Sequence, residues 1–133
     1  MSNRDERLNE NERVLALIDE AGTVVYRFTN FTGGANGVIN DNFNGAPIVV
    51  FGNESKNFMA AFDANLEGQT LRFSAINVNN STIVALDDTG SEWTVFGEAV
   101  SGPHTGKKLN SLQPSFMAYW FSIGTFYEGA EIK

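Results

Sequence analysis

Short runs of β-branched and aromatic residues, closed by turn-forming residues every 8 to 12 positions, constrain this chain more than any other feature. Val14 to Ile18 and Thr23 to Phe28 are two such runs joined by Asp19-Glu20-Ala21-Gly22, which reads as a hairpin. Pro47 opens Ile48-Val49-Val50-Phe51, continuous enough for a strand buried on both faces, and Gly52-Asn53-Glu54 turns it into Phe58 to Phe62 near the centre of a sheet. Between Thr70 and Ile76, Leu71, Phe73 and Ala75 alternate with Arg72 and Ser74 at the period of a half-exposed strand. Thr82 to Leu86, Trp93 to Phe96 and Leu109 to Leu112 complete the predicted strands. Asn30 to Asn44, with Gly33-Gly34, Asn36-Gly37 and Asn44-Gly45, reads as loop around Val38-Ile39, a short strand or anchor.

The pattern predicts a mainly β, antiparallel barrel- or sandwich-like domain over residues 13 to 133, preceded by a polar tail over residues 1 to 12. One helix is expected near the end. From Pro114 to Phe126 the residues Phe116, Tyr119, Trp120 and Ile123, continued by Tyr127, recur at spacings of three and four, and Pro114-Ser115 suits a helix start. At 133 residues with eleven phenylalanines the chain can build a phenylalanine-rich core without a disulfide or metal.

Composition removes several classes of function. Nine scattered cations against sixteen carboxylates, a net charge of -7, disfavour a nucleic-acid or anionic membrane partner. The absence of cysteine excludes thiolate nucleophiles, disulfides and zinc fingers, and leaves the redox compartment open. No run approaches the ~20 apolar residues of a membrane-spanning helix. The charged start has no apolar core of the signal-peptide kind, which is expected of a cytoplasmic chain or of one whose export segment has been removed.

The candidate chemistry is sparse. Asp87, Asp88, Glu92 and Glu98 cluster near the only histidine, His104, and two converging carboxylates could divide acid and base roles. The composition of Asp87-Asp88-Thr89-Gly90 is that of a β-turn in which an aspartate bonds the backbone ahead of it, and a lone loop histidine lacks triad or metal partners. Asp63 to Gly68 matches half of a calcium loop, but Ser74 stands where a bidentate glutamate is needed, so a hairpin turn explains it better. The glycines between Gly90 and Gly106 fit neither phosphate-binding glycine motif. Trp93 and Trp120 could stack on sugars, although tryptophan in a small β domain more often fills core. Neither metal nor cofactor is expected.

Leu71, Phe73, Asn80-Ser81, Val84, Asp87, Gly90-Ser91, Trp93, Gly97, Ala99, Gly102-Pro103, Gly106 and Leu109 stand at fixed spacings. Asn40-Asp41, Gly45 and Pro47 precede them, and Tyr119-Trp120-Phe121 and Glu131-Ile132 follow. In this the chain resembles the prokaryotic family called domain of unknown function 3179, over about residues 13 to 133. The resemblance implies a β-rich fold and an extracytoplasmic location in the periplasm or cell envelope. Many members carry C-P-x-C after the strand read here as Ile48 to Phe51, and a histidine before the Asn-Asp pair. Ungapped spacing places those cysteines at Asn53 and Lys56 and the histidine near Asn36, so this chain resembles a branch without the thiol site and its redox or soft-metal chemistry.

Two functions follow as expectations. The first is a non-catalytic binding or structural module for a protein or small-molecule partner, with a possible cleft around Asn36, Asn53, Lys56 and Trp93. In that case alanine at Asp87, Asp88 and Glu98 should leave stability and binding nearly intact, and no metal should co-purify. The second is a hydrolase that gathers Asp87, Asp88, Glu92, Glu98 and His104 in an aromatic cleft, which requires two of the carboxylates to converge in one concavity. Oligomeric state and ligand identity have no signature in the sequence.

Overall fold

The computed structural model describes residues 12–19, 22–112, 115–119 and 130–133. In chain order the strands are β1 (Arg13–Asp19), β2 (Gly22–Arg27), β3 (Gly37–Phe43), β4 (Ala46–Asn53), β5 (Phe58–Asp63), β6 (Asn65–Leu66), β7 (Gln69–Thr70), β8 (Phe73–Ala75), β9 (Ile83–Asp87), β10 (Glu92–Thr94), β11 (Ala99–Ser101), β12 (Ser115–Tyr119) and β13 (Glu131–Ile132). A single 3-10 turn, Phe28–Phe31, follows β2. The strands belong to two compact units, one drawn from residues 1–30 and 113–133 and the other from residues 31–112.

The first unit is a four-stranded sheet in the order β12-β1-β2-β13. β1 and β2 form the expected hairpin, with Leu15 opposite Tyr26 and Ile18 opposite Thr23. Val14, Leu15, Ala16 and Leu17 are all buried, so β1 is covered on both faces, and Val14, Ala16, Val25 and Ala130 make a small core against which Ile132 packs. β13 joins β2 in parallel, the one departure from antiparallel pairing among the described strands.

The expected helix over Pro114 to Phe126 is not found where the chain is described. Ser115 to Tyr119 is strand, paired antiparallel with β1 from Leu17↔Ser115 to Arg13↔Tyr119. The aromatic spacing is a local signal, whereas the open edge of β1 offers a row of backbone partners from about a hundred residues away, and that pairing overrides local periodicity. Pro114 and residues 120–126 lie outside the described residues.

The second unit sets a three-stranded sheet, β3-β4-β5, against a four-stranded sheet, β11-β10-β9-β8, with β6 and β7 as a separate small hairpin. Both larger sheets are antiparallel and open, giving a sandwich-like unit rather than a closed barrel. β4 is the centre of its sheet and buried from Ile48 through Asn53, as its unbroken apolar run implies. Phe51 touches Phe62 (ring centroids 5.4 Å apart) and Phe73 (5.6 Å), and Phe73 meets Trp93 edge-on at 5.9 Å. This chain of rings crosses the core, and each fully buried phenylalanine contributes about 1.5–3 kcal/mol of transfer free energy.

Four local expectations shift. Asn30 to Asn44 is not mainly loop: β3 runs seven residues and pairs with β4 along its length, turning at Asn44 (φ 52°) and Gly45 (φ 80°). The polar Asn40-Asp41-Asn42 hides this strand from a hydrophobic pattern. Asn40 nevertheless has a ladder role, because its side chain both donates to the Phe73 carbonyl (2.8 Å) and accepts from the Phe73 N–H (2.9 Å). The run Thr70 to Ile76 breaks into β7 and β8, with Leu71 and Phe73 buried as expected but Ala75 exposed. Leu109 to Leu112 makes an isolated bridge, Phe62↔Ser111, instead of a strand, and Val95-Phe96 falls in a turn with Phe96 62% exposed.

Candidate functional site

Asn53 ends β4, and its amide is entirely buried. A buried amide must find partners for its donors and acceptor, and this one does. Its Nδ2 donates to Asn36 Oδ1 at 2.9 Å and to the Gly34 carbonyl at 3.3 Å, while its Oδ1 accepts the backbone N–H of Lys56 at 3.0 Å. One side chain thereby closes the turn after β4 and fixes the segment leading into β3.

Asn36 continues the network. It is 8% exposed, its Nδ2 donates to the Ile76 carbonyl (2.9 Å), and its backbone N–H donates to Asn77 Oδ1 (2.9 Å). The Asn36–Asn53 pair thus ties the β3 and β4 ends to the segment after β8. Over it opens a cleft of about 450 Å³ lined by Gly34, Asn36, Lys56, Asn77, Val78, Asn79 and Asn80. Its volume falls within the usual range of small-molecule sites. A second cleft of about 260 Å³ lies near Asn40, Asp41 and Arg72.

Asn36 therefore meets Asn53 and Lys56 at one place, with Asn36 and Asn53 in direct contact and Lys56 lining the cleft. The position is open, not sealed over. Trp93 does not share it: the residue is 0% exposed in the core, and its indole N–H is taken by Asp87. Sequence reasoning missed Asn77, Val78 and Asn79 and read Asn80 only as a family position. The available signal was the dense run of amides from Asn77 to Asn80, beside the turn residue Asn80 at φ 55°.

The carboxylates have other work. Asp87, 4% exposed, accepts at Oδ1 from the Thr89 N–H (2.8 Å), the Thr89 hydroxyl (2.6 Å) and the Ser91 N–H (3.1 Å), and at Oδ2 from the Trp93 indole (2.8 Å). Burial pushes its pKa upward, but the hydrogen bonds from Thr89, Trp93 and the Ser91 backbone outweigh this and hold the carboxyl below its ordinary range. The expectation that Asp87→Ala leaves stability nearly intact is corrected accordingly, since that change would strand several buried donors. Asp88 and Glu98 are exposed, and Glu92 accepts the Ser101 hydroxyl at 2.8 Å.

His104 lies in the turn after β11, its ring 6.4 Å from that of Trp93, its backbone N–H donating to the Ser91 hydroxyl at 2.9 Å. Its Nε2 is enclosed and has no hydrogen-bond partner among the described residues. Neither cleft is lined by any of Asp87, Asp88, Glu92, Glu98 or His104, so the convergence that a hydrolase requires is not met there. No three His, Asp or Glu side chains gather as metal ligands among the described residues. Asp63 and Asn65 serve the β6–β7 turn, accepting the N–H groups of Asn65 (2.9 Å) and Gly68 (3.1 Å) respectively.

A mainly β chain with an amide-lined cleft and a carboxylate-pinned tryptophan is the class of protein these features define. The chain belongs to the family described as protein of unknown function (DUF3179), whose model matches residues 1–130. No curated protein and no solved structure matches it. No described helix is long and apolar enough to cross a membrane.

Proposed function

We propose that this is a non-catalytic binding module of the cell envelope and that its ligand, a small polar molecule, seats in the cleft over Asn36. One contrast carries the reading. The floor amides, Asn36 and Asn53, have their hydrogen bonds made internally, while Asn77 Nδ2, the Asn79 and Asn80 amides and the Lys56 ammonium make none among the described residues. A rigid floor beneath unengaged donors is the arrangement of a preformed polar site, where orientation is fixed before a ligand arrives. The envelope location rests on the family resemblance alone, and cell fractionation tests it.

Binding is tested by recording amide spectra of the ¹⁵N-labelled protein against a panel of monosaccharides, sugar acids, amino acids and dipeptides. Saturable shifts confined to residues 34–36, 53–56 and 76–80 are the expected result. A panel that moves only signals elsewhere, or none, overturns the proposal.

A further inference from the structure

We infer that the cleft selects a hydroxyl-rich small molecule carrying a single carboxylate. The inference rests on the binding reading above and names its ligand class. Among the described residues Lys56 is the only charged one lining the cleft, and no carboxylate lines it. Elsewhere among the described residues three cations have acidic partners: Arg27 pairs with Glu12 at 2.7 Å, Lys107 with Glu67 at 2.9 Å and Lys133 with Glu131 at 3.1 Å. Lys56 has no such pair among the described residues, and neither do Arg72 and Lys108, but of these three Lys56 alone lines this cleft. An uncompensated ammonium in a concave wall attracts an anion locally even where the net field of the protein repels one.

The rest of the wall sets the other groups of the ligand. One ammonium balances one negative charge, which suits a carboxylate better than a phosphate dianion. The Asn77, Asn79 and Asn80 side chains offer both donors and acceptors, matching hydroxyls, which do the same. Val78, 39% exposed among these amides, gives an apolar face for ring C–H groups. A cation is disfavoured by Lys56, and a purely apolar molecule would leave the amides desolvated and unpaired.

The test compares glucuronate, glucose and glucosamine at low ionic strength, by amide shifts and calorimetry, on the wild type, Lys56→Met and Lys56→Arg. Lys56 is exposed, and an unchanged urea midpoint for both variants confirms that each folds. Glucuronate is expected to shift residues 34–36, 56 and 76–80 and to bind about tenfold more tightly than glucose. Lys56→Met should abolish that preference, Lys56→Arg should keep it, and added salt should weaken it. If glucose or glucosamine shifts the same signals as strongly as glucuronate, the anion preference is overturned while the binding reading stands. If none of the three moves those signals, the inference falls, and the wider panel decides the binding reading separately.

Discussion

The indole N–H of Trp93 donates to Asp87 Oδ2 at 2.8 Å, with Trp93 0% and Asp87 4% exposed. Three further donors from Thr89 and Ser91 reach the other oxygen, so a single carboxylate shapes the turn between β9 and β10 and anchors the largest core side chain. This is why the Asp87, Gly90-Ser91 and Trp93 spacing is a unit: each position supplies one part of the same hydrogen-bonded turn.

Asp87→Asn should destabilise the protein by about 2–3 kcal/mol at pH 7, because the amide that replaces Oδ2 turns its own N–H groups toward the indole N–H. The loss has a pH signature. A carboxyl whose folded pKa is depressed stabilises the fold above its unfolded pKa, and that contribution disappears as pH falls through the folded value. The gap in urea midpoint between wild type and Asp87→Asn should therefore narrow only as pH falls below the ordinary aspartate range, where the wild type loses its carboxylate as well. A gap that stays constant between pH 7 and acid would contradict the assignment.

His104→Phe should be neutral or stabilising by up to about 1 kcal/mol. The phenyl ring keeps the contact with Trp93, and the enclosed Nε2 that lacks a partner among the described residues is removed. Thermal unfolding reports it. A clear drop in melting temperature would show that the imidazole makes a bond its surroundings do not reveal.

Gly37 and Gly52 face each other across the β3–β4 ladder, and the Phe31 ring lies against both. A Cβ on Gly52 would stand 2.6 Å from the ring and one on Gly37 2.5 Å, while Phe31 itself is 2% exposed and has nowhere to retreat. Gly52→Ala should cost about 1–3 kcal/mol by overpacking. The double change Gly52→Ala with Phe31→Leu should cost less than the sum of the two single changes, and a double-mutant cycle in urea measures that coupling. Strict additivity would refute the contact.

What the residues disclosed, and what they hid, divides along the range of the interaction. Turns and hairpins at Asp87 to Gly90 and Asn44-Gly45, and the doubly buried β4, were legible because short-range chemistry specifies them. The strand at Ser115 to Tyr119 and the full length of β3 were not: the one is held by β1, about a hundred residues away, and the other carries a polar Asn40-Asp41-Asn42 centre whose Asn40 is satisfied by the Phe73 backbone, 33 residues on. The cleft was half legible. Asn36, Asn53 and Lys56 emerged from family spacing, whereas the Asn77 to Asn80 wall is brought there by the Asn36 bonds to Ile76 and Asn77, which no local pattern announces.

Asn53 offers the sharpest separation between packing and polarity in this site. Asn53→Ala removes three hydrogen bonds and leaves the Lys56 N–H and the Asn36 Oδ1 without that partner, so a loss of about 2–3 kcal/mol is expected. Asn53→Asp changes almost no volume, yet it should be the worse substitution at pH 7. The oxygen replacing Nδ2 would face two acceptors, Asn36 Oδ1 and the Gly34 carbonyl, inside a fully buried position with no cation bonded to it. Protonation restores a donor there, so the aspartate variant, whose folded pKa is raised by burial and by those acceptors, should regain stability as pH is lowered toward about 5. Urea denaturation of the two variants at pH 7 and pH 5 checks the order: alanine above aspartate at pH 7, with the difference shrinking or reversing at pH 5. An aspartate variant as stable as wild type at pH 7 would show that the Asn53 amide does not donate to Asn36, and the fixed floor of the cleft would then have to be abandoned.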